Sequence, residues 1–295
     1  NIKANDEAAT VAQRDGGAGS ITMAAGATID SGSADVNMTI GTLGTAGGVT
    51  IGTITTTGDV TINSYDVVKS ANTADEVADI TANELTINAT KSADGLVMIG
   101  EEENALEVDV TKFNAETENG SVVLTDVLLG VELGTVDAGS GTVILEAANG
   151  AITSDGLGNP NITAAAVNLT TSLSVDNEDP LYDILKILPG HIGTDVAPVK
   201  TNVGVLTAST FNGGVYIEEA DSFIVSSVIS KQQDIEPMYD GNASVVLGLS
   251  GPSGSADVVL EAGNNIVLGT VKAPDAITIT AGGTILDNNE EEVNA

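Results

Sequence analysis

Cysteine and tryptophan are missing altogether, and histidine and arginine occur once each, as His191 and Arg14. Without cysteine there is no disulfide and no thiolate metal site. A serine nucleophile needs an imidazole base, and His191, after Pro189 and Gly190, reads as a surface-loop histidine. Basic residues are scarce: nine Lys plus Arg stand against 42 Asp plus Glu, a formal net charge of −33. That charge excludes a nucleic-acid partner, which needs cations facing the phosphates. An anionic membrane surface would repel it too. It favours solubility and invites divalent cations, or a saline habitat that screens the repulsion. No run of roughly 18 apolar residues occurs, so no helix is expected to cross a membrane. Aromatics make up only 2%, whereas hydrophobic residues make up 42%. Aliphatic side chains must therefore fill the interior, which suits a narrow, layered core. A start at Asn1 without Met or a signal peptide is what a processed mature protein or an excised fragment would show.

What is present is repetition. Short β-branched triplets follow a small turn residue at Gly19–Met23, Gly47–Ile51, Gly58–Ile62, Gly120–Leu124, Gly141–Leu145, Gly213–Ile217, Ala256–Leu260 and Ala276–Ile279. In each, the outer two positions share a face and the middle one is often Thr, the period of a strand. Gly134–Ile152 aligns with Gly269–Ile285 as strand, turn, strand, turn, strand. The spacing fits one coil per roughly 20 to 25 residues, or about 11 to 13 coils in the chain. At the strand spacing the rod would be on the order of 55 Å long. One coil cannot bury its own Val, Ile and Leu; stacking the next coil on it does. The fold class expected is all-β, a single-stranded right-handed parallel β-helix. An antiparallel sandwich is the rival, since Asn119-Gly120, Asn149-Gly150 and Asp155-Gly156 suit tight hairpins.

The expected organisation is an N-terminal extension or cap over 1–18, the solenoid over 19–286, and an acidic tail or linker over 287–295. Two breaks interrupt it. Residues 63–83 are polar and Ala-rich, and read as a protruding loop or short helix. Residues 176–199 contain a short amphipathic helix: Asp179 at the N-cap, Pro180 at the first helical position, then Leu181, Ile184, Leu185 and Leu188 on one face. Covering the side of the solenoid is the expected role of this helix, and docking a partner the alternative.

The triplet coils, with the segment Ile192–Ile217, resemble the filamentous-haemagglutinin-like large exoproteins of bacteria, the two-partner secretion and autotransporter type. The resemblance implies an exported right-handed β-helix acting in adhesion, surface coats or toxin delivery, at the prokaryotic cell surface or outside it. The secretion domain of that family is not recognisable here. Asn159–Ile162 echoes one of its short motifs but sits mid-chain.

No enzyme activity is expected. A lyase would want cations beside a uronate carboxylate, and a glycosidase two opposed carboxylates in a cleft; basic and aromatic residues are too few for either. No cofactor is required. Calcium is the candidate ion, because hard oxygen ligands grouped in loops suit it. The candidate metal ligands are Glu101, Glu102 and Glu103; Asp176, Glu178 and Asp179; and Glu218, Glu219 and Asp221, with Glu290–Glu292 a further acidic run. Solvated acidic loops are the alternative for each. Asn-x-Ser/Thr sequons occur at Asn37, Asn88, Asn161, Asn168 and Asn242. Two functions follow: a subunit of a surface fibre or coat that joins copies of itself end to end, or a rod segment of a large adhesin that binds a glycan or a host protein.

Overall fold

The computed structural model describes residues 1–4, 19–41, 47–73, 77–90, 97–157, 160–173, 189–231 and 256–288. They form an all-β structure in which every strand-to-strand ladder is parallel. The hairpin sandwich is therefore not what these strands build. Antiparallel contact among the described residues is confined to isolated bridges, such as Glu101 with Asn104 and Gly190 with Asn212.

The triplets act as read. Val49 and Ile51 are buried while Thr50 between them is half-exposed. Each pass of the chain then lies on the one before. Val49 pairs with Ile21 and with Val68, Ile99 bridges Val68 and Val122, and Val122 pairs with Val143, which pairs with Val167. A second column runs through Met38, Ile62, Ile87, Ala115, Val136 and Ile162. In the C-terminal half a third passes from Ile152 through Ile192, Val215 and Val258 to Ile277. Apart from Ile277 at the end of the third, these columns belong to one continuous hydrophobic core. Stacking like on like removes apolar surface from water and completes the ladder in one step. The three phenylalanines, Phe113, Phe211 and Phe223, are all buried.

Glycine before a triplet has a steric reason. A Cβ on Gly120 would lie 1.2 Å from the carbonyl oxygen of Val97, and one on Gly141 would lie 2.2 Å from that of Gly120. At this corner each pass aims its Cα at the backbone of its neighbour, and only hydrogen fits.

The breaks are narrower than expected. Residues 63–83 are neither a loop nor a helix throughout: Val68–Ser70 is a strand, and Ile80 opens the strand Ile80–Ala89. Its own composition hid it, since Val68 is its only aliphatic residue, yet pairing on both sides holds it in the ladder. At the second break the expected helix Leu181–Leu188 lies outside the described residues. The chain is back in the ladder by Ile192, which is buried. Within the expected N-terminal extension, Ile2–Ala4 pairs with Val36–Ile40; residues 5–18 lie outside the described set. Of the tail, Asp287 closes the strand Ile285–Asp287, and 289–295 lie outside it.

Candidate functional site

Long strands change partner midway, and buried acids sit where they do. Leu106–Thr117 pairs first with Val122–Asp126 and then with Gly130–Asp137. Val199–Ser209 pairs first with Val215–Glu219 and then with Phe223–Ile229. At each handover the first partner has ended and a backbone N–H would be left without a carbonyl. The terminal acid supplies the acceptor instead. Asp126, 1% exposed, accepts from Val110 N at 3.4 Å and Gly130 N at 2.9 Å. Glu219, 2% exposed, accepts from Val203 N at 3.1 Å and from the Thr201 hydroxyl at 2.6 Å. Asp79 accepts from the Ser70 hydroxyl at 2.6 Å, Asn72 Nδ2 at 2.8 Å and Glu107 N at 3.2 Å.

Burial opposes ionisation in all three. It pushes the Asp126 carboxyl up to about 6, outweighing its hydrogen bonds from backbone N–H groups. It also raises Asp79 and Glu219, again against their hydrogen bonds. These acids are structural caps.

The candidate calcium ligands are dispersed. Glu101 is bridged to Asn104 across a tight turn, and its carboxylate meets Lys69 Nζ at 3.3 Å; Glu102 and Glu103 are exposed at the tip. Strand alternation splits the other described group. Glu218 faces out, toward Lys200 Nζ at 3.8 Å, whereas Glu219 turns inward; Asp221 is exposed and accepts from Ser222 N. Asp176, Glu178, Asp179 and Glu290–Glu292 lie outside the described residues. Among the described residues no three acids or histidines come together as a metal site would need.

His191 is partly buried, and that burial lowers its pKa. The sequon at Asn161 is taken up internally: this buried amide donates to the carbonyls of Leu133 and Gly134, both at 3.0 Å, and accepts from Lys200 N.

Among the described residues, an open groove of about 620 Å³ on the flank gathers side-chain chemistry. It crosses five successive passes, at Thr57, Asn83, Thr111, Glu132 and Thr153. Asp109 sits in it, paired in register with Thr81. The turn after Asp126 makes one wall, with Leu129 at the rim, 64% exposed. Asp126 holds that turn through Gly130 N, so cap and groove are joined. Lys112 stands beside the groove between Asp155, 3.2 Å away, and Glu132, 3.9 Å away. Asp155 is partly desolvated, but hydrogen bonds from Leu157 N and Lys112 prevail and hold its carboxyl below the usual range.

No known family, no curated protein and no solved structure matches the chain.

Proposed function

We propose that this chain is a right-handed parallel β-helix serving as a structural, non-catalytic element at the prokaryotic cell surface: a subunit of a fibre or coat whose copies join end to end. Parallel stacking with one pass per layer supports the solenoid, and the preference of parallel crossovers for one hand supports its handedness. The observation that carries the function is the last described pass. Ile277–Ala281 and Ile285–Asp287 pair on one side with the pass before and on the other with no described strand. Ile277 and Ile285 remain 38% and 45% exposed, although the same columns are buried one pass earlier at Val258 and Ile266. An open ladder edge with apolar side chains is a template for further strands.

Sedimentation velocity and negative-stain electron microscopy test this on the intact chain. Copies should associate into linear particles that lengthen with protein concentration and with added sodium chloride, which screens the charge of −33. The double substitution Ile277→Glu with Ile285→Glu should leave monomers. Monomers alone at high salt and concentration, or particles unchanged by the substitution, refute the fibre reading.

The second reading, a rod segment of an adhesin of the filamentous-haemagglutinin-like type, has its own supporting observation in the flank groove, which runs across five passes and holds the partly buried Asp109.

A further inference from the structure

We infer that the flank groove binds a neutral polysaccharide or oligosaccharide laid along the stacking direction, with Asp109 as its central hydrogen-bond acceptor. The inference deepens the adhesin reading and rests on it. The groove is long and shallow: five passes at the ladder spacing span roughly 19 Å. That shape suits an extended chain.

The lining chemistry narrows the ligand. Thr111 presents an exposed hydroxyl and Asp109 a carboxylate. The Thr57 and Thr153 hydroxyls donate to the carbonyls of Gly32 and Val131, the Asn83 amide donates to Asp59, and Glu132 faces Lys112, but each keeps acceptor capacity, so acceptors recur from pass to pass. Sugar hydroxyls match such a surface because each both donates and accepts. Asp109 is the focus. It is partly buried, so its carboxyl is pushed upward by desolvation, and it accepts no hydrogen bond from the described residues. A hydroxyl donor placed on it would make a charge-assisted bond. Leu129 at the rim offers apolar contact to the C–H face of a ring.

Other ligand classes fit worse. The net charge of −33 repels anionic chains. A metal ion would need more ligands than the described residues bring together. A peptide added as a strand needs a free ladder edge, and the strands beneath the groove are paired on both sides. A lipid would need a deep apolar pocket, which a groove lined by hydroxyls does not give.

Saturation-transfer NMR and calorimetry with cellohexaose and maltohexaose test this, with polygalacturonate as the anionic comparison. At least one neutral hexasaccharide should bind, and polygalacturonate should not. Asp109→Leu should weaken binding roughly tenfold, the loss of one hydrogen bond to a charged group. Thr111→Val and Leu129→Ala, at exposed or half-exposed positions, should weaken it less, with thermal melts like that of the parent chain. Failure of both neutral sugars to bind, equal binding by the variants, or preference for polygalacturonate overturns the inference. The assay runs on monomers below the assembly concentration, so a negative result leaves the fibre reading untouched, and a failure of assembly leaves the groove untouched.

Discussion

Gly120→Ala should remove roughly 3 kcal/mol or more of stability, the cost of overpacking a site that cannot yield, and lower the melting temperature by on the order of 6 to 12 °C. The added methyl would meet the backbone oxygen of Val97 at 1.2 Å and its carbonyl carbon at 2.4 Å. Neither can rotate away, because Val97 belongs to the adjacent pass. Relief requires opening the ladder at Ile99–Val122, which is otherwise closed by the bonds Ile99 N to Ser121 O and Val123 N to Ile99 O. Gly26→Ala is the comparison. Gly26 has φ of +73° and nothing within 4 Å of its would-be Cβ, so only conformational strain applies, about 1 kcal/mol. Thermal melts of the two variants, followed by far-ultraviolet circular dichroism, separate these cases. Equal effects would mean that the corner is looser than the stacking requires.

Mild acid should stabilise this protein. Asp126 titrates at about 6 in the folded chain, above its ordinary value of 3.8. The native state therefore holds this proton more tightly than the unfolded chain does. The favourable contribution is complete below the unfolded value and is lost as pH rises through about 6. Across that window the site is worth about 3 kcal/mol. Asp79 and Glu219, also raised by burial, act in the same direction. Denaturant melts should show stability rising from pH 7.5 to pH 5. Asp126→Asn keeps a carbonyl acceptor for Gly130 N and carries no charge, so the variant should lose most of this slope. A stability that falls steadily on acidification over the same range, or an Asn variant with the parent's profile, contradicts the assignment of Asp126 as a buried cap.

Much of the architecture is legible in the triplets, because alternation and burial are local. Gly47–Ile51 states its inward residues directly, and its leading glycine marks a corner where the preceding pass, at Gly19, comes too close for a Cβ. The same alternation, carried two residues further, places Asp126 in phase with Val122 and Leu124, and Glu219 in phase with Val215 and Ile217. Both acids are thus signalled as inward-facing, and a loop-ligand reading of Glu219 overlooks that phase. Val68–Ser70 is different. With one aliphatic residue it has little strand character of its own, and neighbours far along the chain make it a strand. The groove is illegible for a related reason. Asp109 comes beside Thr81, and into one groove with Thr57, only once the register of three passes is fixed, and the interval between stacked partners varies from pass to pass. Val68 follows Val49 by 19 residues, whereas Ile99 follows Val68 by 31.

The in-register parallel stack underlies all of these expectations, and the absence of native cysteine makes it directly measurable. Ile144 and Asn168 are paired on the outer face of neighbouring strands. Cysteines there would stand about 4.8 Å apart at Cα, within disulfide range, whereas Ile144 with Thr170 would stand about 8 Å apart, beyond it. Oxidation of the two double-cysteine variants should close the 144–168 bridge almost completely, with native-like circular dichroism, and leave 144–170 as free thiols. Bridging at 144–170, or none at 144–168, would contradict the register from which the core, the caps and the groove are all built.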